Sequence, residues 1–173
     1  YAKTPYDGEV AYTDEILGRL LARLAKLGVA DRTLVVVTSD HGEALGEHKE
    51  EEHGFFVYDV ALRVPLILRM PGRISRGVRA KTEARSMDLV PTILDLAGLR
   101  AATPPGLPGQ SLVAAIEAPQ PADPQVISYS ETLFPRLHFG WSELRSVRMG
   151  GWKFIQAPRP ELYDLTRDPG ERN

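Results

Sequence analysis

The chain has 173 residues, a formal net charge of -2 and no cysteine. Its 43% hydrophobic and 25% charged residues are ordinary globular values, which argue against both a disordered segment and a membrane-embedded one. A near-neutral surface lacks the basic excess that binding to a phosphate backbone needs, so nucleic acid is excluded as a general partner. The absence of cysteine removes disulfides, thiolate metal sites and a cysteine nucleophile.

Val10, Leu17, Leu20, Leu21, Leu24 and Leu27 recur at the spacing of an amphipathic helix, with Arg19, Arg23 and Lys26 turned outward and Gly28 ending it. Leu34 to Thr38 is β-branched and apolar on both faces, which predicts a parallel strand covered on both sides. Its apolar core, Leu34 to Val37, is too short to span a bilayer. Val64 to Arg69 reads as a second short strand, with Pro65 at its entry where a missing N–H does least harm, and Pro71-Gly72 turns the chain. Met87 to Leu99 predicts a helix that tolerates Pro91 in its first turn and ends near Gly98. Ala101 to Pro124 is rich in Pro, Gly and Ala and reads as a surface connection, with at most a short helix over Leu112 to Glu117. Val126 to Ser130, Leu144 to Met149 and Trp152 to Ile155 are strand-like, with Gly150-Gly151 as a hairpin turn. The expected architecture is α/β: a core over residues 1–124 and a small antiparallel sheet over residues 125–173.

Charge is unevenly spread. Glu43, Glu47, Glu50, Glu51 and Glu52 crowd one decade, whereas Arg63 to Arg85 holds seven basic residues and one acid. Both stretches read as solvated faces.

Ser39-Asp40-His41-Gly42-Glu43 directly follows the first predicted strand, and in open α/β sheets ligands bind beyond the strands' carboxyl ends. Asp supplies a hard oxygen and His a neutral imidazole, a pair suited to a divalent cation. Taken alone, the two residues are read more readily as a capping Asp and a packed His. His53 lies twelve residues past His41, ahead of Gly54-Phe55-Phe56-Val57-Tyr58-Asp59.

From here the sequence resembles the sulfatases, within the alkaline phosphatase superfamily. The resemblance rests on Thr38-Ser39-Asp40-His41-Gly42-Glu43 with Leu45-Gly46-Glu47-His48, on His53-Gly54 through Tyr58-Asp59, and on Leu62-Arg63-Val64-Pro65-Leu66-Ile67. It continues through Met87 to Gly98 and Gly109-Gln110-Ser111-Leu112, and ends in Glu161-Leu162-Tyr163-Asp164-Leu165 with Asp168-Pro169-Gly170-Glu171. These segments run in family order along nearly the whole chain. The resemblance implies an alkaline-phosphatase-like α/β sandwich in which Asp40 and His41 ligate the catalytic metal. Calcium is the ion it implies, while a His ligand also suits zinc or manganese. His53 matches the position where sulfatases place a Lys or His against the sulfate group, where a donor is needed as the ester bond breaks. Glu43 and His48 read as solvated, and Asp14 as either a supporting residue behind the site or part of a solvated helix face.

The departures matter too. The family's early pair of metal-binding acids is missing, and so is the Cys or Ser, in a Cys/Ser-x-Pro/Ala-x-Arg pattern, that becomes formylglycine. The chain starts on Tyr1 and stops after Asp168-Pro169-Gly170-Glu171-Arg172-Asn173, so both ends are expected to be cut from something longer, with the nucleophile upstream. The expected function is therefore part of a metal-dependent sulfuric ester hydrolase. Its expected partners are a sulfate or phosphate ester substrate, the missing N-terminal half and, through an exposed apolar edge, a second copy of itself. A phosphodiester or phosphonate hydrolase, a phosphoethanolamine or phosphoglycerol transferase, and a non-catalytic binding module are the alternatives.

Overall fold

The computed structural model describes residues 4–118 and 123–173. Helix α1 (Pro5–Lys26) starts with Pro5 in its first turn, where no N–H is needed. Asp7 near its start and Arg23 and Lys26 in its last turn oppose the helix dipole. Gly28, at φ +67°, then donates its N–H to the Ala25 carbonyl at 3.0 Å, the turn a side chain would strain. The predicted apolar stripe is present but not one residue of α1 is buried. Val10, Leu20 and Leu27 are each more than half exposed, and the helix rests on the short turn at residues 30–32.

Strand β1 (Val35–Thr38) corrects the sequence expectation. It pairs antiparallel with β2 (Leu66–Arg69), Val35 facing Arg69 and Thr38 facing Leu66, and Val35 to Val37 are only half-buried. A parallel pair needs a crossover of a dozen or more residues, usually helical. Residues 39–65 instead form an extended loop ending in the single turn of helix α2 (Asp59–Leu62). The β-branched run specified a strand without specifying its partner.

Helix α3 (Leu89–Leu96) follows a 3₁₀ turn at residues 86–88 and buries Pro91, Thr92 and Leu96. Thr92 ties it to the start of α4 (Val113–Glu117): its hydroxyl donates to the Asp88 carbonyl at 2.6 Å and accepts from the Leu112 amide at 2.9 Å. Asp88 is fully buried and accepts from Arg85 Nε, Arg85 Nη2 and the amides of Arg85 and Gln110 at 2.8–3.0 Å. Part of the predicted 101–124 connection, residues 119–122, lies outside the described residues.

Beyond it the expected antiparallel sheet has four strands in the order β3 (Ser128–Thr132), β4 (Leu144–Met149), β5 (Trp152–Gln156) and β6 (Glu161–Asp164). Helix α5 (Phe134–Phe139), which the sequence reading left out, fills the β3–β4 connection. Val57, Leu144 and Ile155 form a buried core with Phe56, Tyr58, Leu62, Ala157 and Tyr163 packed on it. This core fastens the segment after His53 to the C-terminal sheet. Tyr58 and Tyr163 both donate to Glu161 Oε2, at 2.8 and 2.6 Å, and burial followed by that carboxylate pushes the Tyr58 phenol up to about 12. Among the described residues no helix is long and apolar enough to cross a membrane.

Candidate active site

The loop leaving β1 is shaped by its own short side chains. Ser39 Oγ donates to the His41 carbonyl at 2.7 Å and to Asp40 Oδ1 at 3.3 Å, and the His41 amide donates to the same Oδ1 at 3.1 Å. Hydrogen bonds from its own amide and then from that of His41 hold the Asp40 carboxyl below its ordinary value. The side chain is 87% exposed, so the ionised oxygens face solvent.

The His41 ring is oriented by its own chain. Nδ1 lies 2.9 Å from the Gly42 carbonyl, an acceptor only, so Nδ1 carries a proton and in the neutral ring the lone pair sits on Nε2. That nitrogen is 3.7 Å from Asp40 Oδ2. One oxygen and one imidazole nitrogen thus approach each other on an open surface.

His53 stacks on His41 with ring centroids 3.8 Å apart and planes at 27°. Its Nδ1 lies 3.1 and 3.3 Å from the two oxygens of Glu43, which assigns the Nδ1 proton to that carboxylate and leaves Nε2 for another partner. Thr132 at the end of β3 donates to the Gly54 carbonyl at 2.6 Å, pinning the backbone beside His53 to the C-terminal sheet. The structure therefore brings Asp40, His41 and His53 together, with Glu43 added. Glu43 reads as solvated in the sequence, yet it orients His53. Its ten-residue separation from His53 in a glutamate-rich stretch carried no signal that one acid would differ from its neighbours.

The other residues considered lie apart. His48, in left-handed backbone at φ +53°, stacks on Tyr58 with centroids 3.6 Å apart. Asp14 is on the exposed helix α1. A cleft of about 550 Å³ adjoins the loop, with Thr38, Asp40 and His41 on one wall and Arg63, Arg85 and Arg148 among the others.

Gly42 shows how tightly α2 seats the loop. Its amide donates to the Ala61 carbonyl at 2.8 Å, and a Cβ there would fall 2.1 Å from the Val60 carbonyl oxygen. Only glycine fits against that backbone.

As a metal site the arrangement is partial. Among the described residues no group of three or more His, Cys, Asp or Glu side chains converges on one point. The Asp40–His41 pair suits a divalent cation by donor type, but calcium takes about six to eight oxygens, so the pair can contribute only part of a shell.

The sulfatase family model matches residues 2–99. Arylsulfatase K of Mus musculus is 31% identical over 96% of this chain and 31% of its own length. N-acetylglucosamine-6-O-sulfatase of Bacteroides thetaiotaomicron is 34% identical over 97% and 31%. The chain spans about a third of the length of these relatives. A protein solved in complex with its substrate D-glucosamine-2-N,6-O-disulfate superposes with a TM-score of 0.81 at 33% identity, covering 94% of this chain and 33% of the other. The phosphonate monoester hydrolase of Agrobacterium radiobacter superposes at 0.73 with 30% identity, covering 96% and 35%. The chain belongs to the sulfatase family, within the alkaline phosphatase superfamily.

Proposed function

We propose that this chain is the C-terminal part of a metal-dependent sulfuric ester hydrolase, and that Asp40, His41 and His53 are its share of the active site. The observation that carries the reading is the meeting of these three side chains just past β1, with the His53 ring stacked on His41 and oriented by Glu43. Asp40 and His41 would be this chain's share of the residues holding a divalent cation, calcium in preference to zinc or manganese, and that ion would supply Lewis-acid polarisation and orientation of the ester. Calcium is preferred because the family resemblance implies it.

His53 does the work on the transferred group. With Nδ1 held by the Glu43 carboxylate, a protonated ring donates from Nε2 to a sulfate oxygen and stabilises negative charge as the ester bond breaks. Its own amide and then that of His41 hold the Asp40 carboxyl below its ordinary value, and the Ser39 hydroxyl adds a weaker contact at 3.3 Å. The chain has no cysteine and no serine in the Cys/Ser-x-Pro/Ala-x-Arg pattern, so in this reading the nucleophile comes from sequence outside it.

In the enzyme that carries this chain, His53→Ala should lower sulfate ester cleavage by roughly a hundredfold, the scale of losing one oxyanion donor. A folded variant with normal turnover would reduce His53 to a structural role. A second reading, hydrolysis of a phosphonate or phosphodiester, is supported by the likeness to the phosphonate monoester hydrolase. Tetrahedral sulfate and phosphoryl groups call for similar donors.

A further inference from the structure

Lys153 and Glu171 are 1% and 2% exposed, a depth at which Lys and Glu survive only as partners. The Lys153 ammonium lies 2.8 Å from Asp59 Oδ1 and 2.7 Å from Glu171 Oε1. The second contact is a close ion pair without the alignment of a hydrogen bond. Arg148 Nη1 donates to Asp59 Oδ2 at 2.8 Å. The second Glu171 oxygen accepts the Asp59 amide at 2.6 Å, capping the first turn of α2 across 112 residues of sequence.

The chain's end is folded to deliver this carboxylate. Asp168 accepts the amides of Arg172 and Asn173 at 2.6 and 2.9 Å, and the Glu171 amide donates to the Asp168 carbonyl at 3.2 Å. Glu171 itself sits at φ +53°, a left-handed conformation that a non-glycine residue holds only when its surroundings impose it. The family resemblance covers Asp168-Pro169-Gly170-Glu171 but attaches no role to it.

Helix α2 is the link to the site. Its Asp59 end is gripped by Glu171, Lys153 and Arg148. Its Val60 and Ala61 carbonyls press on Gly42, the residue after His41. We propose that Glu171 is a positioning residue: through Asp59, Lys153 and α2 it sets the place of the Asp40–His41 loop. That this loop handles a metal rests on the functional reading above; that Glu171 places the loop does not.

The test is amide hydrogen exchange in the protein that carries this chain. Glu171→Gln removes the charge facing Lys153 and one of the two acceptor oxygens. Exchange at the Gly42 amide should accelerate roughly tenfold or more while the amides of β4 and β5 keep their protection, the signature of local opening. Unchanged exchange at Gly42 would overturn the proposal. So would uniform acceleration at all three places, because the cluster would then hold the fold as a whole and not the loop. Glu171→Asp keeps the charge on a shorter arm and gives a milder form of the same comparison, and failure of both variants to fold counts as the uniform outcome. The readout needs no metal and no turnover, so it can fail while the functional reading stands, and the reverse.

Discussion

Replacing Gly42 with alanine should be among the most damaging small changes in the molecule. The new methyl would lie 2.1 Å from the Val60 carbonyl oxygen, 3.2 Å from the Val60 carbonyl carbon and 3.3 Å from that of Ala61. Comfortable contact needs about 3.5 Å, so backbone must move by more than about 1 Å. Overpacking of this kind costs about 1–3 kcal/mol. Loss of the Gly42 to Ala61 hydrogen bond adds about 1 kcal/mol. The reduced freedom of the unfolded chain returns about 0.4–1 kcal/mol. The balance is a loss of about 1–3.6 kcal/mol, read as the shift in a urea unfolding curve. Gly18→Ala makes the same chemical change on α1, where nothing lies within 4 Å, and should stabilise by up to about 1 kcal/mol through better helix propensity. If the two variants unfold at the same urea concentration, α2 does not bear on the loop and the account of how the site is seated is wrong.

Asp88→Asn should destabilise by about 3–5 kcal/mol, because it leaves a largely enclosed Arg85 guanidinium without its countercharge. Burial alone would raise the Asp88 carboxyl, but the Arg85 guanidinium and then the amides of Gln110 and Arg85 outweigh it and hold the group below its ordinary value. That stabilisation is complete above the ordinary aspartate range and is lost as pH falls through the lowered folded value. Urea midpoints measured from pH 7 to pH 3 should therefore drop more steeply for the parent than for Asp88→Asn, and parallel curves would contradict the assignment. Asp40→Asn should weaken divalent-cation binding to the enzyme at least roughly tenfold without changing its unfolding midpoint, since the side chain is exposed. Calorimetric titration of calcium into parent and variant separates the two effects.

Local elements were legible where one short stretch carries its own instruction. Leu144 to Met149, Gly150-Gly151 and the strand starting at Trp152 alternate and turn as hairpins do, and they stand where the sequence places them. Gly28 and Pro91 punctuate helices as expected. Partnership was not legible: nothing in Leu34 to Thr38 says whether its neighbour runs parallel or antiparallel, because hydrogen bonding between strands is blind to side-chain type. The stripe on α1 gave the helix its face but not a buried setting. Asp40, His41 and His53 were singled out by position and family order, and they stand together past β1. The oriented Glu43 and the distant clamp of Glu171 on Asp59 depend on tertiary contacts that no spacing encodes.

The most direct test of the central claim is a comparison of kcat/KM for an aryl sulfate and the matching aryl phosphonate monoester, measured on the enzyme that carries this chain, with and without calcium. The sulfatase reading predicts calcium-dependent cleavage that favours the sulfate ester and that Asp40→Asn and His53→Ala both depress. Preference for the phosphonate, or sulfate turnover that neither substitution affects, would contradict it.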